Sequence, residues 1–185
     1  MKKILVMILL LFFSCIYIYA ERITFYAYGP GFFRTLINGP DNVGHASFKL
    51  EGYGMWGFGP ADGKVIGGRG IVNDDSWARS IAEILFTTNI SSEKARAVRF
   101  IADQWRSNPP NYNITTNDCV SFVMRIADEA GLRYHWATTQ SPRAFVESLQ
   151  QNNNDQQRYD RTMNILKGVQ GILNHASDIL NRFLE

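Results

Sequence analysis

Cysteine is nearly missing from this chain: 185 residues contain two, Cys15 and Cys119, and the first lies inside an N-terminal apolar run. If that run is removed on export, Cys119 has no partner thiol, which excludes an intramolecular disulfide. Histidine is also scarce, with His45, His135 and His175 scattered at no metal-ligand spacing. A structural metal site and a bound cofactor are therefore not expected. Surplus charge is the third absence. Loss of Lys2 and Lys3 with residues 1–20 takes the 19 basic residues down to 17, equal to the 17 acidic ones. A balanced chain has no cationic excess with which to displace counterions from phosphates, so nucleic acid is excluded as a partner.

The opening stretch MKKILVMILLLFFSCIYIYA has the layout of a secretory signal peptide spanning residues 1–20. It has a short basic head, an apolar run from Ile4 and the small residue Ala20 at a cleavable position. Two rivals stay open. An uncleaved anchor is one, although the run falls short of the roughly 18 residues that mark a spanning helix. Lipidation of Cys15 after cleavage behind Ser14 is the other, although Phe12-Phe13 departs from the usual lipobox. Each reading exports the remainder to a periplasmic, cell-envelope or secreted location.

Residues 21–150, about 130 of them, suffice for one domain with its own core. RITFYAY (22–28) and HASFKLEG (45–52) alternate as half-buried strands do, and GYGMWGFGPADGK (52–64) completes a hairpin with the second. A loop around one more short strand covers 68–77, and SIAEILFTTN (80–89) leans towards strand. SSEKARAVRFIADQWRS (91–107) is an amphipathic helix with Ser91 or Ser92 as cap, stopped by Asn108-Pro-Pro. The stretch DCVSFVMRIADEAG forms a second helix, with Gly131 placed to end it. Ser141-Pro142 opens a third helix through Gln150. QQNNNDQQ reads as a polar linker over 151–157. Beyond it, 158–185 repeats Leu166, Val169, Leu173, Ala176, Leu180 and Phe183 as a narrow helical seam. The seam packs on its own domain or mediates self-association.

A lone thiol at a helix start is chemically pointed. Free cysteine has a pKa of about 8.5, and the unpaired N–H groups of a first helical turn favour the thiolate. Thr116 or Asn117 can cap this helix, which puts Cys119 within its first turn. The bland alternative, a small apolar residue on a core helix, stays open. A nucleophilic thiol needs a base in hydrogen-bond reach. His175 lies in the tail seam, and His135 in LRYHW reads as a surface loop residue. His45 opens a strand behind Gly44, on the face opposite Ala46, Phe48 and Leu50. Asp74 and Asp75, in VNDDSW, read as a capped, solvated turn rather than a metal site.

VGHASFKLEGYGMWGFGP together with NDCVSFVMRIADEAGL resembles the circularly permuted NlpC/P60 branch of papain-like proteins. There the histidine strand precedes the cysteine helix, an order shared by lecithin:retinol-acyltransferase-like proteins. The resemblance covers roughly residues 22–150. It implies an α+β, papain-like fold: a small antiparallel sheet packed on helices, here with a C-terminal helical extension. It also implies Cys119 as nucleophile and His45 as general base. These families place a polar residue about a dozen positions after the histidine to hold its tautomer. The corresponding window here, Met55-Trp56-Gly57-Phe58, has no side-chain oxygen. Asp62 is the expected substitute, with Ser47 and a backbone carbonyl behind it. The oxyanion site is expected at the backbone N–H of Cys119, helped by Asn117 or the Asp118 amide.

The expectation is an exported cysteine hydrolase acting on peptide or amide bonds, with peptidoglycan as the favoured substrate. Lipid acyl transfer or thioester hydrolysis is the runner-up chemistry. A non-catalytic binding module that keeps the fold is the alternative of a different class.

Overall fold

The structure is a computed structural model and describes residues 20–29, 44–63, 66–135 and 141–154, with Gly168 and Gly171. The expected signal peptide, apart from Ala20, and the tail seam lie outside the described residues, as does His175. Within the described residues the chain is α+β. Six strands form one antiparallel sheet: β1 (Ala20–Tyr28), β2 (His45–Leu50), β3 (Gly54–Pro60), β4 (Ile66–Asp74), β5 (Ile84–Ser91) and β6 (Asn111–Asn113). Their spatial order is β5-β1-β2-β3-β4-β6. The helices are α1 (Ser92–Ser107), α2 (Cys119–Glu129) and α3 (142–154), and a short 3-10 helix (Ser76–Ile81) follows β4. No helix among the described residues is long and apolar enough to cross a membrane.

Alternation decides what each face of the sheet meets. Ile23, Phe25 and Ala27 of β1, Ala46, Phe48 and Leu50 of β2, and Phe58 of β3 share one core with the helices. Phe122 of α2 meets Phe48 edge-on at 5.8 Å, and Trp105 of α1 packs on Phe58 at 4.9 Å and on Phe122 at 5.0 Å. Truncating a fully buried ring such as Phe122 costs about 3–5 kcal/mol in cores of this kind. The opposite face carries a smaller cluster of Tyr26, Tyr28 and Met55, covered by Ala78 of the 3-10 helix.

Local chemistry sets the ends of the helices. Ser91 caps α1 by accepting the Lys94 N–H. Gly131 has φ +68°, which lets its N–H reach Asp128 O and the Leu132 N–H reach Ala127 O, each at 2.9 Å. That is the double closure of a Schellman end. At the start of α3, Ser141 Oγ accepts the Ala144 N–H at 3.2 Å.

One boundary departs from expectation. The polar run after Gln150 does not begin a linker at 151, because α3 continues through 154. Asn153 is buried, and its amide mimics a peptide group: Oδ1 accepts the Arg133 N–H at 3.0 Å and Nδ2 donates to Arg133 O at 2.8 Å. Composition marked this residue as solvated, and the double pairing with a single backbone unit is what makes its burial affordable.

Candidate functional site

β2 begins where the two histidine-bearing requirements meet. At position 44 a Cβ would collide with the carbonyl oxygen of Tyr28, so glycine admits the close approach of β1. The next residue, His45, pairs with Tyr28 in register. Its ring stacks on that of Tyr28 at 5.7 Å between centroids and 20° between planes. Nε2 of His45 lies 2.7 Å from Oδ2 of Asp75, with both side chains buried: His45 is 3% exposed and Asp75 4%. A carboxylate only accepts, so Nε2 is the donor in this contact.

Asp75 reaches the imidazole from the junction between β4 and the 3-10 helix. Its N–H donates to Met55 O at 3.0 Å and its carbonyl accepts the Ala78 N–H at 2.9 Å, so its backbone is tied on both sides. Beneath the pair lies Gly57 of β3, opposite Ser47 in register. A Cβ there would stand 3.0 Å from Asp75 Cγ and closer still to both Oδ2 and Nε2. The empty position twelve residues after His45 is thus filled through space by a carboxylate from the next connection.

This corrects the expected orienter. Asp75, not Asp62, sits on the imidazole; Asp62 is exposed in the turn after β3. It also divides the VNDDSW turn in two. Asp74 is exposed and accepts the Ser76 N–H at 2.9 Å, whereas its neighbour Asp75, at the N-cap position of the 3-10 helix, points inward. Sequence reasoning missed Asp75 because a two-acid turn ordinarily faces solvent. The available signal was Gly57 itself, since a strand glycine marks a place where another group comes close.

Cys119 is the first residue of α2, and the cap is Asp118 rather than Thr116 or Asn117. Asp118 Oδ1 accepts both the N–H and the hydroxyl of Ser121, at 2.8 and 2.7 Å. The sulfur faces the N–H groups of Ala46, Val120 and Cys119 itself. These favour a thiolate, but burial outweighs them and pushes the thiol above its ordinary range, with the Asp118 carboxylate adding to the rise. Cys119 is 3% exposed. The expected lowering by the helix start is therefore reversed: this site holds a neutral thiol.

Cys119 and His45 approach the start of β2 from its two faces. The sulfur comes from the helix side to the peptide N–H of Ala46, the residue after His45, while the imidazole occupies the Tyr28–Ser47–Gly57 side. Asn117 is engaged otherwise than expected: its N–H donates to Asn113 O at 2.8 Å, closing the turn before α2. His135 is exposed and held through its backbone N–H by Ser148 Oγ at 2.7 Å. Among the described residues no group of three or more His, Cys, Asp and Glu is placed to hold a metal ion. An open cleft lined by Ala20, Glu21, Arg22, Glu51, Gly52 and Ser92 lies at the other end of β1 and β2. It takes no part in this site.

Compared with known proteins, the chain finds no match to a family model, a curated protein or a solved structure.

Proposed function

We propose that this protein is an exported cysteine hydrolase of the papain-like, circularly permuted NlpC/P60 type, acting on peptide or amide bonds of cell-wall peptidoglycan. The observation that carries the reading is the buried His45–Asp75 pair at 2.7 Å on one face of β2, with a cysteine that begins a helix on the other. A general base needs its tautomer held in this way.

In this reading Cys119 attacks the substrate carbonyl carbon while Nδ1 of His45 takes the thiol proton. The reading requires the sulfur to reach round the start of β2, from the Ala46 N–H to the imidazole on the other face. Negative charge develops on the carbonyl oxygen, and the backbone N–H of Cys119 is the donor that this chain offers it. Collapse breaks the C–N bond, and the leaving amine takes the proton back from Nδ1. The resulting thioester is hydrolysed by water, with His45 again as base, which restores the thiol. Asp75 keeps the proton on Nε2 throughout. Burial raises the thiol pKa, so the reading requires His45 to take the proton as attack begins, a thiolate being the nucleophile.

The export part of the reading rests on the N-terminal segment, and the choice of peptidoglycan rests on the resemblance. A binding module that keeps the fold is the second reading. Burial of Cys119, His45 and Asp75 together favours it. Lipid acyl transfer forms the same kind of thioester from a lipid ester, releasing the alcohol, and passes the acyl group to an acceptor other than water.

The test is intact-protein mass spectrometry after exposure to activated acyl esters and to muropeptides. A covalent acyl adduct on Cys119, lost in Cys119→Ser and slowed by roughly 100-fold or more in His45→Ala, is the expected result. Absence of any adduct across peptide, muropeptide and lipid acyl donors would transfer the reading to the binding module.

A further inference from the structure

We propose that Tyr28 is a positioning residue of the His45–Asp75 pair, anchored in turn by Ser47. The proposal rests on the catalytic reading above and names what fixes the plane of its base. The χ2 torsion of histidine is broad and close to two-fold. A flip about that torsion exchanges Nδ1 with Cδ2 and Nε2 with Cε1. Such a flip would present carbon to Asp75 and break the Nε2–Oδ2 contact.

Three contacts on the face away from the helices oppose that flip. Tyr28 lies opposite His45 across the β1–β2 ladder, and its ring covers the imidazole at 5.7 Å and 20°. The phenol then runs along β2 past His45, so that its hydroxyl meets Ser47 Oγ at 3.0 Å. Ser47 is fully buried, and Tyr28 is 2% exposed. Burial pushes the phenol above its usual range, so it stays a neutral hydroxyl able to share a hydrogen bond with Ser47. On the strand opposite Ser47 stands Gly57, whose missing Cβ leaves the slot the imidazole and carboxylate share. The imidazole therefore has an aromatic wall, a glycine floor and a carboxylate at one end.

The experiment uses the full chain labelled with nitrogen-15, comparing wild type with Tyr28→Phe, Tyr28→Leu and Ser47→Ala. Imidazole nitrogen shifts and solvent exchange of the His45 Nε2 proton report the tautomer directly. Iodoacetamide alkylation of Cys119 against pH reports the coupling to the thiol. In the wild type, one tautomer with a slowly exchanging Nε2 proton is expected. Tyr28→Leu should mix the tautomers and speed proton exchange, and should cut the His45-dependent part of alkylation by roughly tenfold or more. Tyr28→Phe keeps the stacking ring and should retain most of both signals. Ser47→Ala, which leaves every ring in place, gives a smaller loss in the same direction and decides the matter if Tyr28→Leu does not fold. Unchanged shifts and exchange in Tyr28→Leu, or in Ser47→Ala where the first does not fold, would overturn the proposal. If His45→Ala leaves alkylation unaltered, the catalytic reading fails by itself, and the tautomer measurements still decide the positioning role.

Discussion

The carboxylate of Asp75 occupies the volume that a side chain on residue 57 would need, for a Cβ on Gly57 would lie 3.0 Å from Asp75 Cγ and closer to its Oδ2. A strand position and a turn residue eighteen places later therefore form one unit. A side chain on residue 57 would displace the Asp75 carboxylate, and both positions face the same nitrogen of His45.

Asp75→Asn should lower His45-dependent reactivity of Cys119 by roughly 100-fold or more, because an amide no longer requires the proton on Nε2. Asp62→Asn should leave it unchanged. Alkylation rates at pH 7 for the two variants make the comparison, and a loss confined to Asp62→Asn would return the orienting role to that residue.

Gly57→Ala should separate the pair while leaving the ladder hydrogen bonds intact. Overpacking of a tight interior typically costs about 1–3 kcal/mol, readable as a lower denaturant midpoint. The His45 Nε2 proton should at the same time exchange freely with solvent. A variant with wild-type stability and a protected Nε2 proton would show that the slot has slack.

The pH dependence of stability follows from the thiol. A group whose folded pKa is raised adds stability that is complete below its unfolded value and is lost as pH rises towards the folded one. For Cys119, raised chiefly by burial, the loss begins near the free-cysteine value of about 8.5. Stability should then fall with rising pH at a slope of at most about 1.4 kcal/mol per pH unit. Urea titrations between neutral and alkaline pH should show this for the wild type and a shallower fall for Cys119→Ser. Parallel curves for the two proteins would mean the thiol is not held neutral.

Asn153→Ala should destabilise the domain by about 1–3 kcal/mol, since the N–H and C=O of Arg133 lose a buried partner. Thermal melts of the variant against Asn152→Ala, a half-buried neighbour whose Nδ2 bonds only within its own helix, isolate that effect. Equal melting temperatures would mean that the pairing with the Arg133 peptide adds nothing to stability.

Much of the frame was legible in the chain. Alternation in RITFYAY and HASFKL placed two strands, but not their burial: Ile23–Tyr28 and His45–Phe48 are buried on both faces, where half-buried strands were expected. The Ser91 cap and the Gly131 stop bounded two helices, since caps are local hydrogen-bond chemistry. Cys119 at a helix start and His45 at a strand start were likewise readable as positions.

What the tertiary structure decided was every relation across the chain. Which acid meets His45 depends on β3 and β4 lying side by side, with glycine at the crossing point; nothing within the local sequence of VNDDSW distinguishes the inward Asp75 from the outward Asp74. The charge state of Cys119 turned on the same kind of fact. A helix start favours a thiolate locally, but burial beneath Ala46 and Val120 is set by packing, and removing a charge from water outweighs a few aligned N–H groups. Asn153 follows suit, polar by composition and buried because the peptide of Arg133 happens to face it. Local hydrogen bonding and periodicity act over a turn or two and are written in neighbouring residues, whereas solvation and pairing are set by residues tens of positions away that only the fold brings together.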